Sequence, residues 1–129
     1  MPNKNGMNWI RQTTRARLNE RDGWSCSCCG RPVYMSRLVA NMKAEPAANA
    51  QPATLDHIKP RVKGGGHEHS NLVTVCLSCN SQRQDQPMAA FLRRLEADGV
   101  IDSAAEAGRR ISRRRRRALP TIDTVLGWV

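Results

Sequence analysis

The sequence predicts a small α+β domain stapled by a metal ion. Three features predict it. Two short segments rich in β-branched residues, 54–58 and 71–75, flank a glycine-rich stretch and read as short neighbouring strands. Two Cys-x-x-Cys pairs, Cys26 with Cys29 and Cys76 with Cys79, bracket those segments. Stretches of helical periodicity lie on either side. With 129 residues and 4% aromatics, the core is modest, so a metal staple would help the chain fold.

The elements follow in order. Residues 8–21 read as a helix, with Trp9, Ile10, Thr13, Ala16 and Leu18 as an imperfect apolar stripe. Asn8 is its candidate cap and Gly23 its stop, and Arg11, Arg15, Arg17 and Arg21 form a basic exposed side. Cys26-Ser27-Cys28-Cys29-Gly30 reads as a metal knuckle, in which Gly30 permits the tight turn. Residues 33–43 fit strand or helix equally. Residues 45–53, rich in Pro, Ala, Asn and Gln, suggest a surface excursion. After the strand at 54–58 comes a glycine-rich loop, 61–70, and then the strand at 71–75. The turn from Cys76 to Cys79 feeds a helix that begins near Asn80. Pro87 opens a further helix whose Met88, Phe91, Leu92 and Leu95 face the core, and Gly99 ends it. Ser103-x-x-Glu106 resembles a capping box for a last helix, which runs through Arg109 and Arg110 into the arginines of 113–117 and stops at Pro120. The organisation expected is a basic N-terminal helix (1–22), a core with the metal clamp (23–98), and a C-terminal helix with an arginine-rich tail (99–129).

Two Cys-x-x-Cys knuckles can present four thiolates tetrahedrally to one Zn²⁺. The long separation between the pairs excludes a compact finger and makes the clamp tie together the two ends of the central segment. Four protein ligands leave no open position, so this zinc is structural. Cys28 is the spare thiol of five. An odd cysteine count argues against a disulfide framework. No apolar run is long enough to span a bilayer, and the first residues lack the apolar stretch of a secretory signal. The expected compartment is therefore the cytoplasm, where thiols stay reduced.

A formal net charge of +10 points to a polyanionic partner, with nucleic acid first. The centre of the chain carries matching chemistry. Asp56 and His57 stand side by side before Ile58-Lys59-Pro60, and Asn71 and Asn80 follow. A neutral imidazole can take a proton from water near neutral pH. A hard cation held by carboxylate and amide oxygens, Mg²⁺ or Mn²⁺, can offset charge on a phosphodiester. The arginines of the last helix could grip DNA backbone without sequence preference or form a flexible basic tail.

The order Cys-x-x-Cys-Gly, Leu-Asp-His-Ile-x-Pro, Gly-Gly, Asn-Leu-Val-x-x-Cys-x-x-Cys-Asn resembles the HNH endonucleases, the ββα-metal nucleases, over about residues 21–85. The resemblance implies a two-stranded hairpin followed by a helix around one divalent cation, with flanking helices and a structural zinc site of four cysteines. It implies His57 as general base, Asp56 and Asn80 as ligands of the catalytic cation, and Asn71 as the residue that braces the loop and orients the base. Asparagine at position 80, where the namesake pattern has histidine, makes this an HNN variant and predicts less tolerance for Zn²⁺ or Ni²⁺ at that site. The implied activity is DNA hydrolysis to 5′-phosphate and 3′-hydroxyl ends, with a phage or prophage setting. A homodimer, or a packaging or restriction partner, is left open. Arg61, Lys63, Arg83, Arg113, Arg114 and Arg115 are the candidate DNA contacts. Arg83, one helical turn past Asn80, reads equally as a phosphate contact or an exposed helix arginine. His67 and His69 read as solvated loop histidines. The competing reading is a non-catalytic, zinc-stabilised nucleic-acid-binding module.

Overall fold

The computed structural model describes residues 10–35 and 46–127. The expected cap Asn8, the stripe residue Trp9, positions 36–43 of the ambiguous stretch and the first position of the expected surface excursion lie outside them. Helix α1 is Gln12–Arg21, and the strands are β1 Val33–Tyr34, β2 Gln51–His57 and β3 Leu72–Cys76. Helices α2 Leu77–Arg83, α3 Met88–Ala97, α4 Ala104–Arg116 and α5 Ile122–Leu126 follow. The sheet order is β1-β2-β3, with β1 parallel to β2. β2 runs antiparallel to β3 in a register that pairs Asp56 with Val73 and His57 with Leu72. The hairpin β2–β3 followed by α2 is the ββα unit that the motif order implies.

Strand β3 is buried along its whole length, because helices cover both of its faces. Its side chains alternate. Leu72 meets Leu18 of α1 and Leu55 in a small cluster, and Thr74 donates to Asn19 Oδ1 at 2.7 Å. Val73 and Val75 turn to the other side, into the main core with Phe91, Leu92 and Leu95 of α3 and Ala107 and Ile111 of α4. Cys26, Cys28, Cys76 and Cys79 belong to that same core, so the clamp sits inside the domain.

The strand at 54–58 begins earlier than its β-branched run suggests. Gln51–Ala53, expected in a surface excursion, pair with β1 and β3 instead. Pro52 is tolerated there on an exposed position of the strand. Ser103 caps α4 by accepting from Glu106 N at 3.1 Å. Glu96 of α3 satisfies the next amide, accepting from Ala104 N at 2.8 Å. Helix α4 is no loose tail, since its Ala107 and Ile111 are core residues. Nor is α1 basic and exposed throughout. Arg21 is 5% exposed and pairs with Asp22 at 2.7 Å. Its guanidinium also donates to Leu72 O at 2.6 Å and His69 O at 2.9 Å. Asp22 in turn accepts from Thr74 N at 2.8 Å. Among the described residues no helix is long and apolar enough to cross a membrane.

Candidate active site and metal centres

Residues Cys26, Cys29, Cys76 and Cys79 bring their sulfur atoms within 4.8 Å of one another. Each knuckle is closed in the same way: Cys29 N donates to Cys26 Sγ at 3.5 Å, and Cys79 N donates to Cys76 Sγ at 3.4 Å. Gly30 takes φ +82°, the left-handed conformation expected of it. Four thiols so close cannot all ionise without a cation between them, and the donor set is that of a structural zinc site. Cys28 is not one of the four, although its thiol lies beside those of Cys26 and Cys79. It is fully buried, its Sγ lies 3.7 Å from Met88 Sδ, and the Cys26 sulfur and then burial push its pKa up, as suits a neutral thiol.

The segment after β2 is folded around one side chain. Asn71, 8% exposed, accepts from Lys59 N at 2.8 Å and donates to Lys59 O at 3.1 Å and Gly66 O at 2.9 Å. It thereby ties both ends of the loop to the start of β3. Gly65 passes so near that a Cβ there would stand 1.8 Å from Lys59 O, which only glycine avoids. Arg21 fixes the same region from α1 through its bonds to His69 O and Leu72 O.

Asp56 and His57 close β2 and point to opposite faces, as neighbours in a strand must. Asp56 turns toward α2, where Arg83 Nη1 donates to Asp56 Oδ1 at 2.6 Å. Asp56 Oδ2 is buried with no hydrogen-bond partner. A buried, unpartnered carboxylate oxygen is costly unless a cation or proton completes it. Burial pushes the Asp56 pKa up, against the pull of Arg83. This orphaned oxygen fits a divalent-cation ligand. Asn80 precedes Arg83 by three positions on α2 and so shares its helix face, the face whose Arg83 reaches Asp56. Its amide oxygen suits the same hard cation.

His57 is 8% exposed. Its Nε2 lies 2.9 Å from Nδ1 of His67. Burial, and after it the charges of His67, Arg61 and Arg83, hold its pKa below the usual histidine value. His67, expected to be a solvated loop residue, is therefore a contact of the candidate base. The only sequence signal for it was a second histidine in a glycine-rich loop, which does not reveal where the loop folds back.

Residues 26–86 match the family model described as HNH endonuclease. That stretch, just under half of the chain, is similar to the HNH endonucleases. It is also 29% identical over 92 residues to the CRISPR-associated endonuclease Cas9 of Corynebacterium diphtheriae. That match covers 70% of this chain but only 7% of the Cas9 protein, so the chain spans a small fraction of that relative's length. No solved structure matches it.

Burial corrects two of the expected DNA contacts. Arg83 is 1% exposed. Besides Asp56, it donates to His57 O at 3.1 Å, Ile58 O at 3.1 Å and Gln86 O at 3.0 Å. It is an internal anchor for the end of β2 rather than a surface phosphate contact. Arg114 is likewise buried, bonded to Ser25 O at 2.8 Å, Ser27 Oγ at 2.9 Å and Ser25 Oγ at 2.6 Å. With Arg110, which donates to Ser27 O and Cys28 O at 3.0 Å, it clasps the first zinc knuckle. Neither Arg83 nor Arg114 stands out in the sequence from its exposed neighbours, because a run of polar and basic residues does not say which members face inward. Arg61, Lys63 and Arg113 are exposed. Arg115 is partly exposed and donates to Ser70 O at 2.5 Å.

Proposed function

We propose that this chain is a metal-dependent DNA endonuclease of the HNH type that hydrolyses phosphodiester bonds to 5′-phosphate and 3′-hydroxyl ends. The observation that carries the reading is the buried, unpartnered Asp56 Oδ2 next to His57 at the end of β2. Asp56 and Asn80 would hold Mg²⁺ or Mn²⁺, which offsets charge on the scissile phosphate when bound. His57 takes the proton from the attacking water. Asn71 keeps the loop closed against the end of β2, where the base stands. Arg83 fixes the Asp56 carboxylate from within. The four cysteines hold structural Zn²⁺. Arg61, Lys63 and Arg113, exposed and cationic, engage DNA phosphates, with Arg115 at their margin. One site cuts one strand, so the expected product is a nick, and a double-strand break would require a second copy or a second event.

The test is cleavage of supercoiled plasmid by zinc-loaded protein with Mg²⁺, Mn²⁺ or no added cation, beside a folded His57→Ala variant. Cation-dependent nicking that the variant loses supports the proposal. Intact zinc and DNA binding with no cleavage under any divalent cation would favour a non-catalytic binding module.

A further inference from the structure

We infer that Arg61 and His67 form a latch that keeps the lone pair of His57 engaged until a DNA phosphate draws Arg61 away. The inference rests on His57 acting as the base. His57 Nε2 and His67 Nδ1 are 2.9 Å apart. The ring centroids lie 5.0 Å apart with the planes at 51°, so the rings meet nitrogen to nitrogen and do not stack. The far nitrogen of His67, Nε2, contacts Nη1 of Arg61. Arg61 is exposed, His67 is half-buried and His57 is buried, so the chain of contacts runs from solvent to the candidate base.

The chemistry of the groups fixes the direction of each bond. A guanidinium only donates, so His67 Nε2 accepts. A neutral imidazole carries one N–H, so the His67 proton lies on Nδ1 and is donated to His57 Nε2. That nitrogen accepts, and the proton of neutral His57 lies on Nδ1. One nitrogen of His57 is then engaged and the other is protonated, whereas a general base needs a free lone pair.

An exposed arginine is well suited to a phosphate. Once a phosphate takes Arg61, His67 Nε2 is free to carry the ring proton. His67 Nδ1 then accepts from His57 Nε2–H, and His57 Nδ1 is left with its lone pair. Each ring keeps one proton throughout, exchanged with water, so the switch has no net proton change. The latch thus makes the base available when a phosphate is at hand.

The experiment reads the ring tautomers by long-range ¹H–¹⁵N correlation NMR. It uses zinc-loaded protein labelled at histidine, with no added divalent cation, at a pH where the rings are neutral. The chain has three histidines, so single substitutions assign each ring. The unaltered protein should show His57 as the Nδ1–H tautomer. Arg61→Met, which keeps bulk without a donor, and Arg61→Ala should each raise the Nε2–H population several-fold. A short DNA duplex added to the unaltered protein should do the same. His57 already in the Nε2–H form without DNA would overturn the latch. So would an Nδ1–H form that neither Arg61 variant nor DNA changes, which would leave His67 as a loop staple only. The readout needs no cleavage, so failure of the latch and failure of the nuclease reading are separate results.

Discussion

Replacing Arg83 separates an internal anchor from a DNA contact. The guanidinium makes its four bonds, to Asp56 Oδ1, His57 O, Ile58 O and Gln86 O, while the residue is 1% exposed. In Arg83→Met the bulk is kept, but the buried Asp56 carboxylate loses its countercharge and three carbonyls lose a donor. Breaking a buried ion pair from one side costs about 3–5 kcal/mol. That is a large share of the roughly 5–15 kcal/mol that holds a domain together. Urea unfolding of the zinc-loaded protein should show a loss of that size, with Arg83→Lys losing less because an ammonium can still pair with Asp56. DNA binding measured by fluorescence anisotropy against salt should keep its slope in both variants, after correction for the folded fraction. A lost phosphate contact would instead lower the slope of log K against log salt by about 0.9. A slope reduced by that amount, with stability unchanged within about 0.5 kcal/mol, would refute the assignment of Arg83 as an anchor.

Other outcomes follow from the same geometry. Asn71→Ala strips the bonds to Lys59 N, Lys59 O and Gly66 O, and Gly65→Ala drives a Cβ into Lys59 O. Each should lower stability by roughly 2–3 kcal/mol and slow plasmid nicking by about 100-fold through displacement of the loop; equal nicking rates in both variants and the unaltered chain would contradict the bracing role. Chelation of zinc should unfold the domain, since metal binding is folding free energy. Cys76→Ser should then lose zinc while Cys28→Ser retains it, as read by metal content and circular dichroism. Because burial, and after it His67, Arg61 and Arg83, lower the His57 pKa, the neutral base is present below the usual histidine range. The rate constant kcat/KM should therefore rise with pH through that lowered pKa and be level by neutrality. A rate that keeps climbing above neutral pH would point to a different titrating group.

The clamp, the strands and the candidate catalytic residues were legible in the sequence because each is a local signal. Cysteine spacing fixes knuckle geometry, β-branched runs favour extended backbone, and Asp56 beside His57 defines a chemistry within two residues. The boundaries were less legible. Gln51–Ala53 look like loop by composition, yet they enter β2 because β1 and β3 supply hydrogen-bonding partners. Tertiary structure alone decided which cations serve the fold. Arg21, Arg83 and Arg114 read in sequence like their exposed neighbours, but each is buried on carbonyls or carboxylates contributed by distant parts of the chain. It also decided the place of His67, because the loop from Arg61 onward folds back around Asn71 and brings the second imidazole onto His57. Residue type and spacing determine which chemistry is available to this chain. Which side chains meet, and which of them water still reaches, depends on contacts between residues far apart in sequence.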